Sequence, residues 1–103
     1  MAGQKSRAEM FAEILGDGVN SAFNKLASEI MKRGALSTKD KALMAVACAV
    51  AVRCEHCISF NRERASMAGA TKEEIIEAGA VGGLVRLASG FNAASALLDE
   101  PER

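Results

Sequence analysis

Aromatic bulk is the first thing this sequence lacks: of 103 residues only four are aromatic, and all four are Phe. Half of the residues are nevertheless apolar. Ala and Gly therefore carry much of the apolar role. Small side chains let helices approach closely but bury little area each. A single domain of this length holds a modest core, so the composition predicts subunits that complete one another in an oligomer. Net charge is lacking too, because 13 acidic residues balance 13 basic ones. No basic stripe with interleaved aromatics is present, which speaks against nucleic acid as a partner. The longest apolar run, ALMAVACAVAV at 42–52, is too short to span a bilayer and is closed by Arg53. The opening MAGQKSRAEM has no apolar signal-peptide core. The expectation is a cytoplasmic, reducing location without a membrane partner.

Strand signals are also missing: Val and Ile never alternate between turn residues. What is there reads as helices punctuated by Gly, in one domain over residues 1–103. SRAEMFAEIL predicts a first helix, with Ser6 as N-cap and Glu9 closing a capping box. GDG at 16–18 breaks it. VNSAFNKLASEIMKR places Val19, Phe23, Leu26 and Ile30 at helical spacing, and Gly34 is the expected stop. Ser37 caps a third helix that is apolar nearly all round from Ala42 to Val52, which predicts a buried central helix. A fourth helix begins near Cys54 and ends at Gly69. A fifth is capped by Thr71 and Glu74. Its Gly82-Gly83 pair weakens it, bends it, or admits a close neighbour. GFNAASALLDE forms a sixth helix or extends the fifth.

Chemistry concentrates in RCEHCISFN, residues 53–61, where Cys54 and Cys57 flank the only histidine of the chain, His56. In a reducing compartment a CxxC pair is more often catalytic or metal-binding than structural. At a helix start, free N–H groups and the positive helix end stabilise a thiolate, the nucleophilic form. His56 adds a titratable group and Arg53 a fixed positive charge. A metal site needs about four ligands. Cys48, Cys54, His56 and Cys57 are the available soft ligands, but Cys48 lies well up the preceding helix and closure within one subunit is strained. No metal or cofactor is implied. Cys48 itself, among Ala and Val, reads as a small buried hydrophobe.

The stretch ALSTKDKALMAVACAVAVRCEHCISFNRERASMAGATKEEIIEA, residues 35–78, resembles the core of the carboxymuconolactone decarboxylase superfamily in its alkyl hydroperoxidase D-like branch. The LS.K opening, the apolar helix, the CxxC and the A...GA..EEI.EA segment fall in that family's order and spacing. The resemblance implies an all-α helical bundle of five to six helices, assembled as hexamers or trimers. In the peroxidase branch the cysteine pair reduces hydroperoxides, cycling between dithiol and disulfide at the expense of a dithiol electron donor. A Glu, the His before the second Cys, and a later His relay protons. Carried onto this chain, Cys54 and Cys57 match the redox pair and His56 matches the first His, while Ala42 and Asn61 occupy the positions of the relay Glu and second His. Neither can relay a proton. Glu55, Glu63 and Asp40 are the carboxylates within reach in sequence.

The expected function is thus a thiol-dependent peroxidase or disulfide oxidoreductase acting on a small hydroperoxide or disulfide, with Cys54, Cys57 and His56 as catalytic residues. Two alternatives stand beside it: a decarboxylase-type enzyme of the same superfamily, and a non-enzymatic redox-sensing assembly module. The cysteine pair argues against decarboxylation, which does not generally depend on it in this superfamily.

Overall fold

A computed structural model describes residues 5–101. It contains five α-helices and one 3-10 turn, with no strand among the described residues: α1 (Arg7–Leu15), α2 (Asp17–Met31), α3 (Thr38–Ala51), α4 (Glu55–Met67), α5 (Lys72–Ala94) and the turn Ser95–Leu98. The all-α expectation holds.

Caps set most of the helix starts. The Ser6 hydroxyl accepts from the Glu9 N–H at 3.0 Å, and the Glu9 carboxylate accepts from the Ser6 N–H at 3.1 Å. The Thr71–Glu74 box is reciprocal in the same way. Ser37 accepts from the Asp40 N–H, without a return bond. Gly16, at φ 124°, separates α1 from α2 in a backbone region that side chains disfavour. Helix α2 stops at Met31, ahead of the expected Gly34. Its terminal carbonyls are taken up by side chains from α3, which makes a glycine stop unnecessary. The Lys41 ammonium donates to the carbonyls of Ile30 (2.8 Å) and Lys32 (2.6 Å), and the Thr38 hydroxyl donates to that of Met31 (3.1 Å).

Helices α3, α4 and α5 form the body. Three contacts with a common offset of 35 residues show that α3 and α5 run parallel. Lys39 Nζ pairs with Glu74 at 3.0 Å, Arg86 Nη1 donates to the Ala51 carbonyl at 3.3 Å, and Gly82 lies on Ala47. A Cβ on Gly82 would sit 2.9 Å from the Ala47 carbonyl carbon, so this glycine is what permits the approach. Gly82-Gly83 neither breaks α5 nor ends it: the helix continues to Ala94, and the segment read as a sixth helix is its extension plus the 3-10 turn.

The core is small. Ala42, Val46, Ala65 and Ala70 form its buried centre, backed by half-buried Met31, Leu43, Ala68, Ile75 and Ala78. Helix α3 is not buried all round, because Met44 is exposed, as is Val52 at its C-cap. Cys48 is exposed as well, contrary to its reading as a buried hydrophobe. Helices α1 and α2 pair into an arm, and α5 runs on past the end of α3, leaving Phe91, Leu97 and Leu98 uncovered. The radius of gyration is 17.4 Å, against about 13 Å for a compact chain of this length. The stretch Lys72–Leu98 is, among the described residues, the one helix long and apolar enough to cross a membrane by length and composition.

Candidate redox site at the start of helix α4

The turn between α3 and α4 builds the site. Helix α3 ends in a Schellman motif: the Cys54 N–H donates to the Ala49 carbonyl (3.1 Å) and the Arg53 N–H to that of Val50 (3.0 Å). This motif requires a left-handed residue, and Arg53 supplies it at φ 59°. Helix α4 ends in the same motif with Gly69 in that place. A side chain in this conformation costs roughly 1–2 kcal/mol. The strain therefore sits directly before the first cysteine.

Cys54 is the N-cap of α4, and its Sγ accepts from the Cys57 N–H at 3.2 Å. The two cysteines are joined in a disulfide with their Cα atoms 5.1 Å apart. Both are half-buried. An N–H donor and the positive end of a helix at a cysteine sulfur are the features that favour thiolate in a reduced pair. The structure thus brings together the two cysteines that the spacing singled out. His56 lies beside them in the first turn of α4, exposed, as is Glu55. Among the described residues no three His, Cys, Asp or Glu side chains come close enough to hold a metal ion.

Asn61 stands one turn after Cys57, and its side-chain amide donates to the Cys57 carbonyl at 2.8 Å. It also lines a cavity of about 610 Å³ between the α1–α2 arm and helices α3 and α4. Ala42 lines the same cavity. The two departures from the relay pattern therefore border one cavity. Glu9, Phe60 and Arg64 line this cavity too, with the Arg64 guanidinium 4.8 Å over the Phe60 ring. Sequence reasoning missed these three. The Phe60–Arg64 pair had a signal, four residues apart on one helix, whereas Glu9 read only as a capping residue. Of the carboxylates considered from sequence, Asp40 lines a different groove, between α3 and α5, and Glu55 and Glu63 are exposed on α4.

Known proteins share this architecture. The chain is 36% identical over 101 residues to the Paracoccus denitrificans protein described as uncharacterized protein 4 in cox locus, a match covering 95% of this chain and 85% of that one. A crystal structure of a Methanobacterium thermoautotrophicum protein superposes with a TM-score of 0.80 at 39% identity, covering 89% of this chain and 99% of the other. The carboxymuconolactone decarboxylase family profile matches residues 18–100, a span that contains α3, the CxxC turn, α4 and α5. With fold, profile and cysteine pair in agreement, the chain belongs to the carboxymuconolactone decarboxylase family.

Proposed function

We propose that this protein is a thiol-dependent oxidoreductase that reduces a small hydroperoxide or disulfide through Cys54 and Cys57, in a reducing cytoplasmic compartment. One observation carries this reading: the two sulfurs are bonded at the capped N-terminus of α4. The reduced pair begins the cycle. One thiolate attacks the peroxide O–O bond, giving a sulfenic acid and an alkoxide that takes up a proton. The second thiol displaces water from the sulfenic sulfur and closes the disulfide. An external dithiol then restores both thiols and becomes oxidised in turn. Two thiols and one hydroperoxide thus yield disulfide, alcohol and water. Cys54 is the better thiolate, because the Cys57 N–H points at it. His56 is the titratable group nearest in sequence and serves as proton donor to the leaving oxygen.

The test is peroxide consumption with dithiothreitol as donor. The native protein should turn over and show a dithiol titre that falls with stoichiometric peroxide. Cys57→Ser should lose multiple turnover. Equal rates for native and Cys57→Ser, or a dithiol titre that peroxide does not change, would overturn the proposal.

A further inference from the structure

The turn that carries the cysteine pair leaves one carbonyl to another helix. Helix α3 ends at Ala51, and Cys54 caps α4. The carbonyls of Cys48, Ala49 and Val50 accept the backbone N–H groups of Val52, Cys54 and Arg53 in that order. Among the described residues no backbone N–H of the turn closes on the Ala51 carbonyl. Arg86 of α5 takes it instead, its Nη1 donating at 3.3 Å. This is the one hydrogen bond, among the described residues, that ties residues 51–54 to a helix other than the two they join.

Left to itself the turn is strained. Arg53 sits at φ 59°, a backbone region that a Cβ disfavours. The packing one turn earlier explains how Arg86 comes to brace it. Gly82 lies against the Ala47 backbone, and each of these residues precedes the Arg86–Ala51 contact by four positions on its own helix. The close approach at Gly82 therefore sets the Arg86 side chain against the end of α3.

We propose that Arg86 is a positioning residue for the cysteine pair: by holding the Ala51 carbonyl it fixes the turn that presents Cys54 to Cys57, and so raises the equilibrium constant for closing their disulfide. The inference rests on the reading of Cys54 and Cys57 as a redox pair. Two cysteines bond only over a narrow range of Cα separations, and the turn holds these two at 5.1 Å. Without the brace the dithiol chain spreads over more turn conformations, and closing the bond costs more entropy.

The test is thiol–disulfide equilibrium with dithiothreitol. Protein dithiol passes two electrons and two protons to oxidised dithiothreitol, giving protein disulfide and reduced dithiothreitol. Trapping with N-ethylmaleimide in denaturant, followed by intact-mass spectrometry, reads the state: one adduct, on Cys48, for the disulfide chain and three for the dithiol chain. Salt at about 1 M screens the through-space effect of the removed charge. Arg86→Met should lower the constant roughly 3- to 10-fold, as for one hydrogen bond lost. Arg86→Lys, which keeps a donor on a long side chain, should stay within about 2-fold of native. Arg86→Gln, two bonds shorter than arginine, should behave as Arg86→Met and carries the test if that variant does not fold. A residue that only supported the fold would weaken the oxidised and reduced chains alike and leave the constant unmoved. An unchanged or higher constant in folded Arg86→Met, or an equal loss in Arg86→Lys, would overturn this proposal alone. A native pair that does not pass between dithiol and disulfide in these buffers would overturn it together with the redox reading.

Discussion

At the residue scale the site turns on two substitutions of expectation and one strained backbone. Arg53 occupies a left-handed position that Gly69 fills in the equivalent turn. Replacing Arg53 by Gly removes about 1 kcal/mol of strain, partly offset by the extra freedom of glycine in the unfolded chain. The variant should be stabilised by several tenths of a kcal/mol in urea unfolding. An unchanged unfolding midpoint would show that the turn carries no usable strain. Ala42 and Asn61 line one cavity, so the double replacement Ala42→Glu with Asn61→His places a carboxylate and an imidazole on its walls. General acid–base help is typically worth roughly 10²–10⁴-fold, and peroxide turnover should rise measurably toward that range. If a correctly folded double variant turns over no faster, proton delivery is not what limits the reaction. Glu9 then becomes the first residue to change, as Glu9→Gln, which keeps the cap and removes the charge.

At the element scale, helix identity was legible because it is written locally. The Ser6–Glu9 and Thr71–Glu74 boxes and the Cys54 cap each lie within four residues of chain. What was not legible depends on partners distant in sequence. Lys41 replaces a glycine stop for α2, and the cavity that unites Glu9, Ala42 and Asn61 draws on four helices. The role of Gly82 was half legible, since only the packed structure selects close approach over a bend. Gly82→Ala should therefore separate α3 from α5 and cost roughly 1–3 kcal/mol. Gly90→Ala, with open space around it, should instead gain up to about 1 kcal/mol from helix propensity. Similar melting temperatures for the two variants would contradict the packing argument. The head of α5 also responds to acid. The Glu74 carboxyl is held below its ordinary value of 4.5 by the Thr71 backbone N–H first and by the Lys39 ammonium second. A depressed carboxylate contributes stability that is present above the unfolded value and lost as pH falls through the folded one. Native protein should therefore melt above Glu74→Gln at neutral pH, and the difference should shrink once pH drops below about 4.5. A gap that stays constant down to pH 2 would remove this role from Glu74.

At the scale of the whole molecule, shape and composition have one cause. Ala-rich helices pack closely but bury little, so the chain spreads over 58 × 35 × 26 Å and leaves Phe11, Leu26, Leu84 and Leu97 in the open. In the oligomer that the family resemblance implies, folding and association are linked, because a subunit that needs its neighbours is stabilised by their concentration. A tenfold change in concentration is worth about 1.4 kcal/mol per association step. For a domain near 100 residues each kcal/mol moves the melting temperature by roughly 4–8 °C. Diluting the oxidised protein a hundredfold within the micromolar range should lower its melting temperature by several degrees. If that assembly uses the exposed face of α5, Val81→Asp should melt lower still and show no such dependence. The measurement separates assembly from disulfide effects if repeated on the Cys54→Ser, Cys57→Ser chain, whose curve should shift as a whole but keep its slope against concentration. A melting temperature independent of concentration in the native protein would mean that 103 residues with an alanine core stand alone, and the excess surface would then need another explanation.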